Sequence, residues 1–306
     1  FFFSKMAETS TRTPQPVIIG VGGSFNPIHA GHLQSLLTAR AALEQDGRYR
    51  VVAALLAVAH DGWVVGKLAP QESIKAHHRI AMTNMAIEAL RDRDPEAGAL
   101  FPLQNMPHGT VGSAVREFFP DKRYKGCAAE VINVVGTDRA FDSRGPKWRE
   151  QTTGKKVVLL RDDASAPQSG AAWDLWQQDL QSGRVRQPQN WIVINTSAAS
   201  ADGQPLPTPS PGTELGTAHC SSTSVRKVMR AHAAGSAADM ERALLAARLV
   251  EPCVAKYLAR HRGALFMAPP NATGEAGAQQ RGGKGKTQAV TPQPTGGGRR
   301  GRVQHL

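Results

Sequence analysis

Gly22-Gly-Ser-Phe-Asn-Pro-Ile-His-Ala-Gly-His32 is the stretch on which the reading of this chain turns. It follows Val17 to Gly22 (VIIGVG), an apolar run of strand length, and it precedes Leu33, Leu36, Leu37 and Ala41, which recur at helical spacing. Strand, loop and helix in that order place the loop at the carboxyl end of a strand, where open α/β sheets bind ligands. The glycines let backbone approach a phosphate through turns that other residues resist. His29 and His32 stand where the helix begins, and the free N–H groups and dipole of a helix start favour an anion. Two imidazoles at that place suit charge growing on a phosphate in transfer.

Outward from this loop the pattern repeats. Val51 to Ala59 reads as a second strand, and Ser73 to Leu90 as a helix with Ile74, His78, Ala81, Met82, Met85 and Leu90 inward. Val131 to Gly136, Lys156 to Leu160 and Trp191 to Asn195 are three further strands. Buried strands alternating with helices predict an α/β fold, a Rossmann-like doubly wound parallel sheet covered on both faces. Ser197 to Ala218 reads as a long Ser/Pro/Gly-rich loop. Thr223 to His232, Ala237 to Val250 and Pro252 to His261 read as a helical C-terminal lobe. The expected organisation is a flexible leader over 1–16, one domain over 17–265 and a disordered Gly/Arg/Lys-rich tail over 266–306. Met6 reads as the initiator, with five residues of upstream translation before it.

Composition narrows the function classes. The three cysteines, Cys127, Cys220 and Cys253, are odd in number and form no C-x-x-C pair. That argues against a disulfide framework or a cysteine-built zinc site, and for a reducing compartment, cytoplasmic or nuclear. No run approaches the roughly 18–20 apolar residues of a membrane span. The net charge of +12 suits a phosphate-rich partner without choosing between nucleotide and nucleic acid. Part of it lies beyond Ala268, where six Lys or Arg accompany one Glu. Nucleic-acid binding through that tail stays open as a secondary role, as does a homo-oligomer.

The loop resembles the H-x-G-H signature of the nucleotidyltransferase superfamily. In its G-G-S-F-N-P form it resembles nicotinamide or nicotinate mononucleotide adenylyltransferases. A second segment, Ser221-Ser-Thr-Ser-Val-Arg226, is similar to the family's S-x-T-x-x-R motif, although alone it also suits an ordinary helix cap. Gly66-Lys67 followed by His77-His78-Arg79-Ile-Ala-Met82 resembles the family's G-K-K … H-R-x-x-M stretch, with Leu68 in place of the second lysine. Val135-Gly-Thr-Asp138 with Pro146-Lys-Trp148 resembles its G-x-D and P-x-x-W segments, one residue short.

The resemblance implies transfer of AMP from ATP to a phosphorylated acceptor, with release of pyrophosphate. It implies catalytic roles for His29, His32 and Arg226. It implies substrate contacts at Gly23, Ser24, Phe25, Lys67, Gly136, Asp138, Trp148, Ser222 and Thr223. Mg²⁺ is expected on the ATP, held mostly by phosphate and water, and no protein-built metal site is implied. The implied acceptor is nicotinamide or nicotinate mononucleotide. One departure bears on it: the family's Trp-Glu pair, whose Trp stacks on the pyridine ring, has no counterpart between Phe101 and Thr110. Trp63, Trp173, Trp176 and Trp191 read as core or rim residues. Cytidylyl transfer, pantetheine-phosphate adenylyl transfer, and a non-catalytic nucleotide- or RNA-binding protein on the same fold remain as alternatives.

Overall fold

A computed structural model describes residues 13–45, 47–101, 110–118, 123–124, 127–142, 145–160, 169–196 and 220–267. These lie within one compact unit. The expected leader up to residue 12, the long loop at 197–219 and the tail from 268 lie outside the described residues.

The five expected strands form one sheet. They are β1 (Gln15–Gly23), β2 (Tyr49–Val58), β3 (Glu130–Gly136), β4 (Lys156–Leu160) and β5 (Trp191–Asn195). All neighbours run parallel, in the order β2-β1-β3-β4-β5. Parallel strands covered on both sides need apolar residues at successive positions rather than at alternate ones. Val17, Ile18 and Ile19 meet that need, each at most 1% exposed.

The helices are α1 (Ala30–Gln45), α2 (Asp61–Val65), α3 (Ala76–Arg93), α4 (Pro95–Gly98), α5 (Val111–Phe118), α6 (Thr137–Ala140), α7 (Ser169–Gln181), α8 (Ser222–Ala231), α9 (Ala237–Ala246) and α10 (Pro252–His261). Successive side chains of a strand point to opposite faces. Val17 and Ile19 therefore join Leu36, Met82, Leu244 and Leu258 in the larger core, beneath α1, α3 and the C-terminal helices. Ile18 joins Leu55, Val111 and Val115 on the opposite face, under α5. Val158 and Leu160 face a third cluster with Trp148, Trp176 and Trp191, under α7. The doubly wound architecture read from the sequence is the architecture observed.

Close packing explains one glycine. A Cβ on Gly20 would stand 2.5 Å from the Val111 side chain. No carbon pair tolerates that approach, so the absent side chain lets α5 lie on β1.

The order of the sheet fixes where a ligand can sit. From β1 the chain moves outward to β2, then crosses back to β3 on the other side of β1. The ends of β1 and β3 thus diverge into a crevice at the carboxyl edge, the topological switch point of such sheets. The Gly22–His32 loop leaves β1 at that crevice.

Several helical boundaries differ from the sequence reading, those of α3 and α9 the most. α3 begins at Ala76 rather than Ser73, because Ile74 is held in an extended bridge with Phe266. Its inward face includes Arg79 and Thr83, which apolar periodicity does not find. α9 stops at Ala246, short of Val250. It starts with a capping box in which the Ser236 and Asp239 side chains each accept from the other's backbone N–H. α10 closes the lobe against α3, where Arg93 forks onto both oxygens of the buried Glu251 carboxylate at 3.0 and 3.1 Å.

α3 also meets α10 through His78, whose Nδ1 lies 2.9 Å from the Tyr257 hydroxyl. Burial is the main cause holding the His78 imidazole below its ordinary value of 6.5; neighbouring His77, His261 and Lys75 act the same way, and a hydrogen bond with Ala264 backbone opposes them. The unfolded chain thus accepts a proton that the folded chain resists. The stability from this neutral histidine is present above the unfolded value and is lost as pH falls below it. The urea midpoint should fall on going from about pH 7 to about pH 5, and His78→Gln should flatten that fall, since glutamine does not titrate. Equal slopes in the two proteins would remove His78 from the account.

Candidate active site

The loop after β1 is fastened on three sides. The first clamp is Arg79 of α3, whose side chain is fully buried. Its Nη1 donates to the Ser24 carbonyl at 2.8 Å and to the Ala59 carbonyl at 2.7 Å. Nε donates to the Ile74 carbonyl at 2.8 Å, and Nη2 to Asp61 Oδ1 at 2.9 Å. A planar fork with several fixed donors can hold three carbonyls and a carboxylate at once; a lysine ammonium cannot.

The second clamp is Asn26, at the centre of the loop and 1% exposed. Its amide donates to the Glu72 carbonyl and accepts from the Ile74 N–H, both at 2.7 Å. The third is the start of α8. Ser222 Oγ donates to the Pro27 carbonyl at 2.8 Å, and Arg226 Nη1 donates to the Asn26 carbonyl at 2.7 Å. Ser221 caps α8 by accepting from the Ser224 N–H at 3.0 Å. The two motifs, some two hundred residues apart in sequence, are thus joined directly.

Phe25 completes the loop from within. It takes a left-handed backbone, φ 43°, uncommon for a residue with a side chain. The bend turns its ring inward, where it meets the His32 ring edge-on at 4.8 Å. A Cβ on Gly23 would stand 3.2 Å from that ring, so the glycine makes room for it.

The two histidines of the motif lie against each other at the foot of α1, their ring planes tilted by 35°. Their ring centroids are 3.7 Å apart. His32 Nδ1 accepts from the His29 backbone N–H at 3.2 Å. A nitrogen that accepts carries no hydrogen, so neutral His32 bears its proton on Nε2, which is then a donor. His32 donates its own N–H to the His29 carbonyl at 3.0 Å, which closes the first turn.

Positive charge gathers at this edge. Arg226 is 8% exposed, and burial is the main cause drawing its guanidinium down from its ordinary range; Glu72 opposes that and Arg230 adds to it. Its Nη2 donates to Thr223 Oγ1 at 3.2 Å. Arg139, at the end of α6, donates from Nη1 to the Gly22 carbonyl at 3.1 Å and so spans the crevice between β3 and β1. Sequence reasoning did not single it out, and a lone arginine after a strand carries no signal for such a role. Lys67 is exposed just after α2. Gly136 caps α6 at the end of β3, followed by the exposed Asp138.

The structure therefore brings together Gly23, Ser24, Phe25, His29, His32, Ser222, Thr223 and Arg226, with Gly136 and Asp138 at the end of the adjoining β3, whereas Lys67 lies beyond α2 with no hydrogen bond to the loop among the described residues. It sets Trp148 elsewhere. That side chain is fully buried in the cluster under α7, its indole N–H donated to Asp179 Oδ2 at 2.9 Å. It has no surface to offer a ligand and serves as a core support. Trp63 projects from α2 at 62% exposure, whereas Trp176 and Trp191 are buried. Residues 102–109, most of the segment in which an acceptor-stacking Trp was sought, lie outside the described residues. Among the described residues no cluster of three or more His, Cys, Asp or Glu could hold a metal ion, and no helix is long and apolar enough to cross a membrane.

A strand, a glycine-bearing loop, a histidine pair at a helix start and a second, basic helix start converge on one edge of a parallel sheet. Residues 21–160 match the cytidylyltransferase-like family model. The match runs from the last three residues of β1 through the histidine loop to the end of β4. The chain resembles the nucleotidyltransferase superfamily and, within it, the mononucleotide adenylyltransferases. It is 36% identical over 83 residues to nicotinamide/nicotinic acid mononucleotide adenylyltransferase 2 of Xenopus tropicalis and, equally, to that of Rattus norvegicus. Each of those alignments covers 27% of this chain and 24% of the relative, so the chain spans about a quarter of the length of the curated relatives it matches. Among solved structures, Plasmodium falciparum nicotinic acid mononucleotide adenylyltransferase complexed with NaAD aligns over 81% of this chain and 96% of its own, at 14% identity and a TM-score of 0.45.

The Arg79 clamp yields a measurable expectation. Arg79→Lys should destabilise the protein by about 2–4 kcal/mol, because buried carbonyls lose their donors while a charge stays buried. Chemical denaturation checks it, and a midpoint unchanged from the wild type would remove Arg79 as the clamp.

Proposed function

We propose that this protein is a nucleotidyltransferase that transfers AMP from ATP to a phosphorylated acceptor, nicotinamide or nicotinate mononucleotide, and releases pyrophosphate. The observation that carries this reading is the close pair of rings, His29 and His32, at the start of α1, in a loop tied by Asn26 and Pro27 to the start of α8.

The chemistry follows from the groups at hand. An acceptor phosphate is already ionised at neutral pH, so no general base is needed. One of its oxygens attacks the α-phosphorus of ATP in line. A new P–O bond forms, the bond from the α-phosphorus to the bridging oxygen breaks, and pyrophosphate departs with the electron pair. Catalysis is then positioning and neutralisation of charge. His32 donates from Nε2 and His29 stands against it, both directed to charge on the α-phosphate. Ser222, Thr223 and Arg226 receive the β- and γ-phosphates at a helix start, where free N–H groups already favour anions. Ser24 and Phe25 offer backbone groups to the two substrates. Lys67 meets the acceptor phosphate, and Gly136 and Asp138 meet the nucleoside. Mg²⁺ enters as part of the Mg·ATP substrate, held by phosphate and water.

The cytidylyltransferase-like family match keeps CTP as the rival donor. A screen of purified protein with ATP or CTP against nicotinamide mononucleotide, nicotinate mononucleotide and phosphopantetheine, scored by pyrophosphate release, decides donor and acceptor together. The expected result is release with ATP and a pyridine mononucleotide. Release with no pair would overturn the enzyme reading. Within an active pair, His32→Ala should lower turnover by at least about a hundredfold, the scale of one lost charge-stabilising donor. Near-normal turnover in that variant would remove His32 from the reaction.

A further inference from the structure

On the side of α8 where the helix continues past its first turn, a cavity of about 260 Å³ opens beside Arg226. Its floor is apolar: Met229 and Met240 are 3% and 1% exposed, and Phe266 packs partly buried against the same core. Its polar side chains are Gln71, Glu72 and three arginines. Arg226, Arg230 and Arg262 line it against a single carboxylate, Glu72, which is ion-paired with Arg230. Two positive charges are thus left over among the lining residues.

One of these cations is built into the wall. Arg226 is more than nine-tenths buried, and its Nε has no hydrogen-bond partner among the described residues. A guanidinium taken out of water favours an anion in the cavity beside it.

From this geometry we propose that the cavity is a binding site for a small amphipathic anion, a carboxylate or phosphate monoester on a short apolar body. The apolar body lies on Met229, Met240 and Phe266, and the anionic head meets Arg226 and Arg262. The cavity falls at or below the small end of ligand pockets, roughly 300–1,000 Å³, so the body is short. The site is separate from the crevice of the His29–His32 pair, and only Arg226 is common to both. Its existence does not depend on the reaction proposed above.

The full-length protein tests this with 8-anilinonaphthalene-1-sulfonate, a fluorescent amphipathic anion, as the probe. Saturable one-site binding is expected, with octanoate displacing the probe at least about tenfold more effectively than octanol, as a charge-assisted contact requires. Ala233 is exposed at the mouth of the cavity, so Ala233→Trp blocks access without disturbing the core. This variant should weaken probe binding by about tenfold or more, and Arg262→Gln by about threefold to tenfold. If Ala233→Trp fails to match the wild-type circular dichroism and melt, Arg262→Gln alone decides. Unaltered affinity in the folded variants would overturn the site, and so would octanol as effective as octanoate. Displacement by inorganic pyrophosphate as strong as by octanoate would assign the cavity to the triphosphate instead and overturn its separateness.

Discussion

A single buried guanidinium holds the functional edge of this molecule in place. Arg79 reaches from α3 through the core to the carbonyls of Ser24, Ala59 and Ile74. These belong to three different segments: the loop after β1, the turn after β2 and the extended stretch before α3. Backbone carbonyls at strand ends have left the ladder and must find donors elsewhere. One side chain supplies several, and Asp61 offsets its charge at the partly exposed end. The arrangement does not rank as a strong stabiliser in itself, since taking a cation out of water is costly. Its product is geometry: the loops at the ends of β1 and β2 keep one spacing.

The sheet determines why that spacing matters. Because β1 sits between β2 and β3, the loop after β1 faces the crevice rather than being covered by its own crossover. Arg139 then closes on the Gly22 carbonyl from the other side. The C-terminal helices complete the enclosure by bringing Ser222 and Arg226 onto Asn26 and Pro27. These three connections all use the loop's own carbonyls as acceptors, and the Asn26 side chain and the Phe25 ring fasten it from within.

Much of this was legible from residue order, and the limits have physical reasons. All five strands could be read because parallel strands carry unbroken apolar runs, and Val131 to Gly136 or Lys156 to Leu160 allow little else. α10 was read from Pro252 to His261 with the observed limits, since proline at its first position marks the start. α7 was not anticipated, because Ala172, Trp176 and Asp179 form its buried face and an aspartate breaks the apolar stripe. That aspartate is buried because Trp148 and Arg149 donate to it, a pairing invisible at thirty residues' separation. Trp148 was read as a ligand contact from the P-x-x-W resemblance, and nothing in its local sequence distinguishes a stacking surface from a core indole. The histidine loop was legible as a site, but the role of Asn26 as its fastening was not, since side-chain bonds to a distant backbone leave no periodicity.

Asn26 carries a further consequence, for the ageing of the protein. An asparagine side chain is lost chemically when the next residue's backbone nitrogen attacks its carbonyl carbon and expels ammonia. The next residue here is Pro27, whose nitrogen has no hydrogen to give up. The side chain is also locked between Glu72 and Ile74, away from water. Conversion to aspartate would replace a donor with an anion facing a carbonyl, at the centre of the loop. The Asn-Pro pair removes the common route to that damage, so this turn should keep its chemistry over long lifetimes.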